Sequence, residues 1–427
     1  MKAIINAKIF DYENYHENYY IVFDKNIKEI GPMENFKGAD QIIDAKDNLV
    51  LPGFVIGHTH IYSTFARGLN LPFNPLNFKD ILTQLWWKLD SQLAKEENYY
   101  SALVAGIEFI KNGVTTVIDH HASGLQIKGS LNTLKNALCD EVGLRGIFCF
   151  ETSDRFNVGE CIEENLEFLK TRSEMHAGLF GLHASLSLSD NTLEKVSKLY
   201  KGPIHIHTAE SIDDVEDSLS KYGARVITRL EKFGLLRENS ILAHCVHTSE
   251  EELELISKNK CFVALNVTSN MNNAVGLPNY KLMKKKNVKV IAGNDGLGFN
   301  FSRELLNLYF SMKLKGNSPL SFSFDDLKSI ISNTYEIASK HLNVKLGKIK
   351  PGYAADLIIV PYTPPTPLNS ENAFGHVIYG LFDNFRPSHV IVNGKILMQN
   401  YETNLQVDEI YKQARKVAEY LWKKLNK

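Results

Sequence analysis

The segment LVLPGFVIGHTHIY, residues 49–62, runs from an apolar stretch straight into His58 and His60. Residues i and i+2 of a strand project from the same face, so both imidazoles can reach one point. The bland reading is two polar residues closing a buried strand; the chemical one is a pair of nitrogen ligands on one metal ion. The texture returns along the chain in VTTVIDHH, LRGIFCFETSDR, AGLFGLHASLS, GPIHIHTAE, ILAHCVHT, FVALNVTSN and VKVIAGNDG. Helical stretches lie between these runs, such as residues 79–113 and 213–234. Eight strand–helix units predict an α/β fold, a (β/α)8 barrel (TIM barrel) over residues 53–344, with function at the C-terminal ends of its strands. A doubly wound open sheet is the alternative.

Residues 1–52 and 345–400 share another texture, short alternating strands separated by Gly and Pro turns. Neither is large enough for a core of its own, so they are expected to pair as one small composite β domain, a β-sandwich built from both chain termini. Residues 401–427 supply a C-terminal helix, amphipathic over 407–426.

Composition removes several function classes. With 427 residues and a formal net charge of −1, the chain has the size of one large domain with a companion and no basic run that would mark a nucleic-acid partner. Apolar runs fall far short of the ~20 residues of a membrane span, and the N-terminus reads as a strand and turn. Five cysteines without a CxxC pair point to a reduced, cytoplasmic protein.

Polar residues gather at the strand ends. They are His58 and His60 on strand one, Asp119, His120 and His121 on two, and His183 on four. Strand five brings His205, His207 and Glu210, strand six His244, and strand eight Asp295. Most of the chain's 14 histidines lie in or just after these runs. Imidazole and carboxylate suit a divalent ion such as zinc or iron(II), and a catalytic site keeps one position open for water. His58, His60, one histidine of strand five and Asp295 would supply enough ligands. His205 and His207 face the same side, and spacing leaves open which of them binds. His120 and His121 read as loop or pocket residues. Among substrate contacts, Trp86 and Trp87 could stack on a flat ring, or one or both could pack into a helix interface, the reading preferred for Trp87. Arg67 and Arg155 could bind a carboxylate or carbonyl, and Asn270 touches substrate or caps a turn.

Taken in order, PGFVIGHTH, HIHTAE, AHCVH, TSNMNNAVG, AGNDG and LGKIKPGYAADLIIV resemble the amidohydrolase superfamily over nearly the whole chain. They look like its mononuclear metal-dependent branch, which holds deaminases of nucleobases, S-adenosylhomocysteine and related heterocycles, and triazine hydrolases. GHTHIYSTFARG, TTVIDHHAS and SNMNNAVG look closest to the SsnA-type aminohydrolases. The resemblance implies metal ligands at His58, His60, His207 and Asp295. It implies that Asp295 is also the base, that His244 contacts the water, that Glu210 protonates a ring nitrogen, and that His183 helps hold substrate. Strand four carries no lysine of the kind that bridges two metals in binuclear relatives, so one divalent ion is expected, zinc before iron. It also lacks the PRF pattern of guanine deaminases, and strand seven lacks a proline that many relatives carry.

The implied function is an aminohydrolase that deaminates a purine-like or related heterocycle by metal-hydroxide attack and releases ammonia. The same site acting on chloride, an alkylamine or a cyclic amide is the alternative. A scaffold without metal is disfavoured because every expected ligand position is filled. A small heterocyclic substrate, no nucleic acid, no membrane and a homodimer complete the expectation.

Overall fold

A computed structural model describes residues 1–426. Eight parallel strands form the centre, each next to its sequence neighbour: Phe54–Thr59, Val114–His121, Arg145–Phe150, a fourth in two pieces (His176–Gly178 and Phe180–Ala184), Ile204–Thr208, Ile241–His244, Phe262–Leu265 and Lys289–Ala292. The first piece of strand four pairs with strand three and the second with strand five, so one interrupted strand joins two sheets. Strand eight returns to strand one: the backbone N–H groups of Asn294 and Asp295 donate to the His58 carbonyl at 2.9 and 3.2 Å, and Thr59 bridges Asp295 in parallel. The ring is therefore closed, and the open sheet is excluded.

The strands are buried on both faces apart from Lys289 and the half-buried His176 and Gly178 of the first piece of strand four, as a barrel jacketed by helices requires. The closing seam needs a residue without a side chain. A Cβ on Gly57 would lie 2.8 Å from the Ala292 carbonyl oxygen, and one on Gly293 2.7 Å from that of His58. Helix starts carry their own capping signals. Ser249 and Glu252 form a capping box ahead of Glu250–Lys258, and Ser323 with Asp326 does the same for Phe324–Leu342.

The two termini build a second sheet of nine strands. Lys2–Phe10 pairs with Tyr15–Phe23 on one side; on the other its first residues pair with Gln41–Asp44 and its last with Leu49–Pro52. Leu49–Pro52 then pairs antiparallel with Leu357–Val360, which joins the N-terminal strands to His389–Val392, Lys395–Gln399 and Glu402–Thr403. An Asn26–Ala354 bridge brings the far side round, so the sheet folds over a core of its own containing Ile4, Ile21, Phe23, Val50, Leu357 and Ile391. The last helix is Val407–Leu425, and the short strand ahead of it belongs to the sheet. This helix packs on Lys95–Lys111, and Trp422 Nε1 donates to the Phe65 carbonyl at 2.8 Å. Among the described residues no helix is long and apolar enough to cross a membrane.

One ion pair fastens sheet to barrel. Arg145, at the base of strand three, is fully buried, and its guanidinium forks onto Asp356 at 2.7 and 3.1 Å. Asp356 also accepts from the Asn393 backbone N–H at 2.7 Å. Removing one partner strands the other's charge away from water, which costs about 3–5 kcal/mol. Arg145→Ala should lower the unfolding free energy measured by urea titration by a matching amount, whereas Lys128→Ala, which breaks an exposed pair with Glu163, should leave it within about 0.5 kcal/mol of wild type.

Candidate metal centre and catalytic site

At the C-terminal mouth of the barrel, His58, His60, His207 and Asp295 each offer a ligand atom, all within 4.8 Å of one another. His60 Nδ1 donates to the His120 carbonyl at 2.6 Å and His207 Nδ1 to the His183 carbonyl at 2.9 Å. Each ring therefore turns a bare Nε2 inward, and the two Nε2 atoms stand 3.1 Å apart. Two lone pairs at that separation repel unless a cation lies between them. Two nitrogens bound to one zinc at about 2.0–2.1 Å would lie roughly 3–3.4 Å apart. His58 Nε2 is buried without a hydrogen-bond partner and sits 3.8 Å from Asp295 Oδ1, while His60 Nε2 lies 2.9 Å from the same oxygen. The donor set and the orphaned nitrogen fit a divalent ion.

The electrostatics make the same demand. Burial works against a charged His60, yet the hydrogen bond and charge of Asp295 hold it up to about 9. Burial also opposes an ionised Asp295, but the His58 and His60 imidazoles beside it keep it well below the usual carboxylate range. The cluster thus calls for positive charge, which a metal ion can supply in place of a proton. Burial carries His58 down to about 3, so it presents a neutral imidazole.

Surrounding residues fix the ligands. His58 Nδ1 lies 2.8 Å from His205 Nε2, one layer deeper in strand five. His120 Nδ1 donates to Glu151 Oε1 at 2.9 Å, and its Nε2 lies 3.1 Å from the His205 carbonyl. Ser269 Oγ donates to Asp295 Oδ2 at 2.5 Å. Ala209, His244, Cys245 and Asp295 have φ of 45°, 72°, 52° and 54°, a region costly for side-chain-bearing residues. That strain lies at or beside Glu210, His244 and Asp295, where the chain turns sharply out of its strands to aim these side chains.

Glu210 and His244 stand beside Asp295, and these three also have ligand atoms within 4.8 Å of one another. His244 Nε2 lies 3.4 Å from Glu210 Oε2 and is otherwise unpartnered, while the Asn270 amide donates to His244 Nδ1 at 2.9 Å. Burial, then the neighbouring Asp295 charge, push the Glu210 carboxyl well above its ordinary value. His244 is carried down to about 4, chiefly by burial.

A cavity of about 740 Å³, counted out to its mouth, opens onto this cluster. Trp86, Trp87, Tyr62 and Phe78 supply its flat apolar wall, and His183 lines it too. Both tryptophans face it, which departs from the reading of Trp87 as helix packing. The physical reason is local: Leu82–Trp86 is a π-helical turn, which widens the helix just where Trp87 follows. The other sequence-derived contacts lie elsewhere. Arg67 stacks on Phe299, 4.6 Å from the ring centroid, outside the cavity wall. Arg155 forks onto Asp90 at 3.0 and 2.8 Å and lies over Trp87 and Phe156, so its charge is already matched. His121 is buried behind Tyr62, with Nε2 2.9 Å from Ser123 Oγ. Asn270 reaches His244 rather than the cavity.

Glu151 escaped the sequence reading. It is 1% exposed, directly follows strand three and lines the cavity. Burial would raise its carboxyl, but His183, His120 and His60 around it hold it well below the ordinary range. The signal was present: Glu151 follows RGIFCF at the position where the other strands place their polar residues. Asp90 and Asp214, also on the wall, come from connecting segments that periodicity does not aim.

The sequence profile of the amidohydrolase family matches residues 49–397. A 5'-deoxyadenosine deaminase of Methanococcus maripaludis is 28% identical over 406 residues, covering 91% of this chain and 92% of that protein. Among solved structures, an adenosine deaminase from Xanthomonas campestris with bound zinc superposes with a TM-score of 0.86 at 20% identity, over 98% of both chains. Atrazine chlorohydrolase from Arthrobacter aurescens, complexed with zinc, gives 0.81 at 19% identity, over 98% of this chain and 100% of that one. At these identities the two structures speak for the fold.

Zinc added to chelator-treated protein should raise its melting temperature, since a ligand that binds only the folded state stabilises it. His58→Ala and His207→Ala should each abolish that rise and lower bound metal at least tenfold by elemental analysis, whereas Glu210→Gln should keep both.

Proposed function

Because the chain belongs to the amidohydrolase family, we propose that it is a metal-dependent hydrolase that deaminates an amino-substituted heterocycle, purine-like or related, and releases ammonia. The observation that carries this reading is geometric: Glu210 and His244 stand beside Asp295, which carries one of four convergent metal-ligand atoms, and burial with the Asp295 charge raises the Glu210 pKa while Asp295 is held low. Pairs of carboxyl groups driven apart in pKa divide acid and base roles between them. The ion is one divalent metal, zinc before iron, held by His58, His60, His207 and Asp295. When bound, it lowers the pKa of a water from 15.7 to about 7.

The protein's own groups perform the proton transfers. Asp295 takes a proton from the water while His244, oriented by Asn270, directs the water oxygen toward the ring carbon bearing the amino group. Glu210 gives its proton to the adjacent ring nitrogen, so charge does not accumulate on the ring as the C–O bond forms. Asp295 then passes its proton to the exocyclic nitrogen, the C–N bond breaks, and ammonia leaves. The hydroxyl proton returns to Glu210 as the carbonyl forms, which restores both carboxyl groups. The similarity to proteins named 5'-deoxyadenosine deaminase and 5-methylthioadenosine/S-adenosylhomocysteine deaminase supports an amine as the leaving group.

A homodimer and a cytoplasmic location belong to the same reading, the first supported by family resemblance and the second by five buried, unpaired cysteines.

Metal-replete protein should release ammonia from at least one member of a panel of amino-purines, pterins, amino-pyrimidines and adenosine derivatives. Glu210→Gln should retain metal and lose about 10²–10⁴-fold in kcat. A Glu210→Gln protein with near-normal turnover would remove this mechanism.

A further inference from the structure

Strand seven runs into a short helix, Val267–Asn272, and this one turn of chain touches Asp295, His244 and Glu210 together. Ser269 Oγ donates to Asp295 Oδ2 at 2.5 Å, and the Asn270 amide donates to His244 Nδ1 at 2.9 Å. Asn273, which closes the helix, donates from Nδ2 to Glu210 Oε1 at 3.4 Å and to Ser269 Oγ at 3.3 Å. Positions i, i+1 and i+4 lie on one side of a helix. Asp295, His244 and Glu210 come from three different strands, and their mutual spacing is thus referred to a single short element.

So short a helix does not hold itself. Its first N–H groups have no partner within it, and nucleation is costly. The usual remedy is a capping side chain on the preceding residue. That residue is Asn266, and its side chain makes no capping bond. The cap comes instead from the helix Phe301–Lys315, which follows strand eight. Glu304 of that helix is buried, and its Oε1 accepts the Thr268 N–H at 3.2 Å while its Oε2 is hydrogen-bonded to the Thr268 hydroxyl. Asn307, one turn further on, donates from Nδ2 to the same hydroxyl at 2.9 Å. A carboxyl group is costly to bury without hydrogen bonds, and here both oxygens are directed at Thr268. Thr268 immediately precedes Ser269 and Asn270, so the chain is gripped next to the residues that reach Asp295 and His244.

We infer that Glu304 is a positioning residue: by capping the strand-seven helix from outside, it holds Ser269, Asn270 and Asn273 in place and so sets Asp295, His244 and Glu210 relative to one another. Among the described residues Glu304 does not line the cavity, and it reaches the centre through the helix. The inference rests on the proposed function in one respect, that Asp295 is a metal ligand. Without the anchor the helix shifts, and Asp295 loses the fixed hydroxyl that orients it. Loss of an outer partner of this kind changes metal affinity or activity about 10–100-fold.

Two readouts on the full chain test this: zinc affinity by competition with a chelator, and hydrogen exchange over residues 266–273, which reports the helix with or without metal. Glu304→Ala should speed that exchange and weaken zinc binding about tenfold or more. Glu304→Gln keeps an acceptor for the Thr268 N–H and should restore both to within about threefold of wild type. Ser269→Ala should also weaken zinc binding, and adding Glu304→Ala to it should change little, because both act through one contact. Ile256→Ala, a buried truncation in Glu250–Lys258, is the control and should lower the melting temperature with zinc affinity unchanged. Unchanged exchange or affinity in Glu304→Ala, no rescue by Glu304→Gln, or additive losses with Ser269→Ala would overturn the inference. So would an equal loss of affinity in Ile256→Ala, which would reduce the effect to general destabilisation. Should Glu304→Ala fail to fold, Thr268→Val, which removes the gripped hydroxyl, carries the same expectations. Coupled zinc losses in a protein that releases no ammonia would leave this inference standing and remove the proposed function. A wild-type protein that binds no zinc would also remove the proposed function, and exchange alone would then decide this inference.

Discussion

Everything at the mouth of this barrel depends on the seam where strand eight meets strand one. The His58 carbonyl takes the N–H groups of Asn294 and Asp295, so one backbone contact sets the distance between the first two histidines and the aspartate. That approach is possible only because Gly57 and Gly293 leave room for it. A side chain at either position would push the strands apart, and four ligand atoms that now converge would separate. The metal-binding geometry is therefore a property of the barrel's closure before it is a property of the ligands.

Charge is the second constraint. Several histidines and carboxyl groups are packed where water cannot solvate them, and such a cluster is tolerable only if protons and ions are distributed to match. The structure meets this in layers. His205, His120 and Glu151 brace the ligands from below, Asp295 and His60 define where positive charge is wanted, and burial beside Asp295 raises the pKa of Glu210. Arg155 lies close by but is matched by Asp90, so it does not neutralise the centre.

Much of this was legible in the sequence because a barrel converts periodicity into position. An apolar run that ends in a polar residue puts that residue at the mouth, so His58, His60, His183, His207, His244 and Asp295 could be gathered before any coordinates existed. The small sheet was legible from its alternating strands, although its register across 300 residues was not, since no local pattern encodes which strands meet. Residues aimed by connections were lost for a related reason. Trp87 turns into the cavity through a π-helical turn, Arg155 is captured by Asp90, and Arg67 finds Phe299, all of which depend on tertiary contacts. Glu151 is the instructive miss, because the strand-end rule did apply to it.

The fork between Arg145 and Asp356 also has a meaning in time. A ribosome delivers strand three long before it delivers the carboxylate that strand three requires, since 211 residues separate the partners. Leu49–Pro52 likewise waits for Leu357–Val360. A nascent chain that has exposed seven or eight barrel strands still holds an unmatched guanidinium and an unpaired sheet edge, both of which invite wrong partners. Synthesis of this protein thus has a late point of commitment. Nearly the whole polypeptide must be present before the first half can settle, and chaperone occupancy during translation should be longest over that interval.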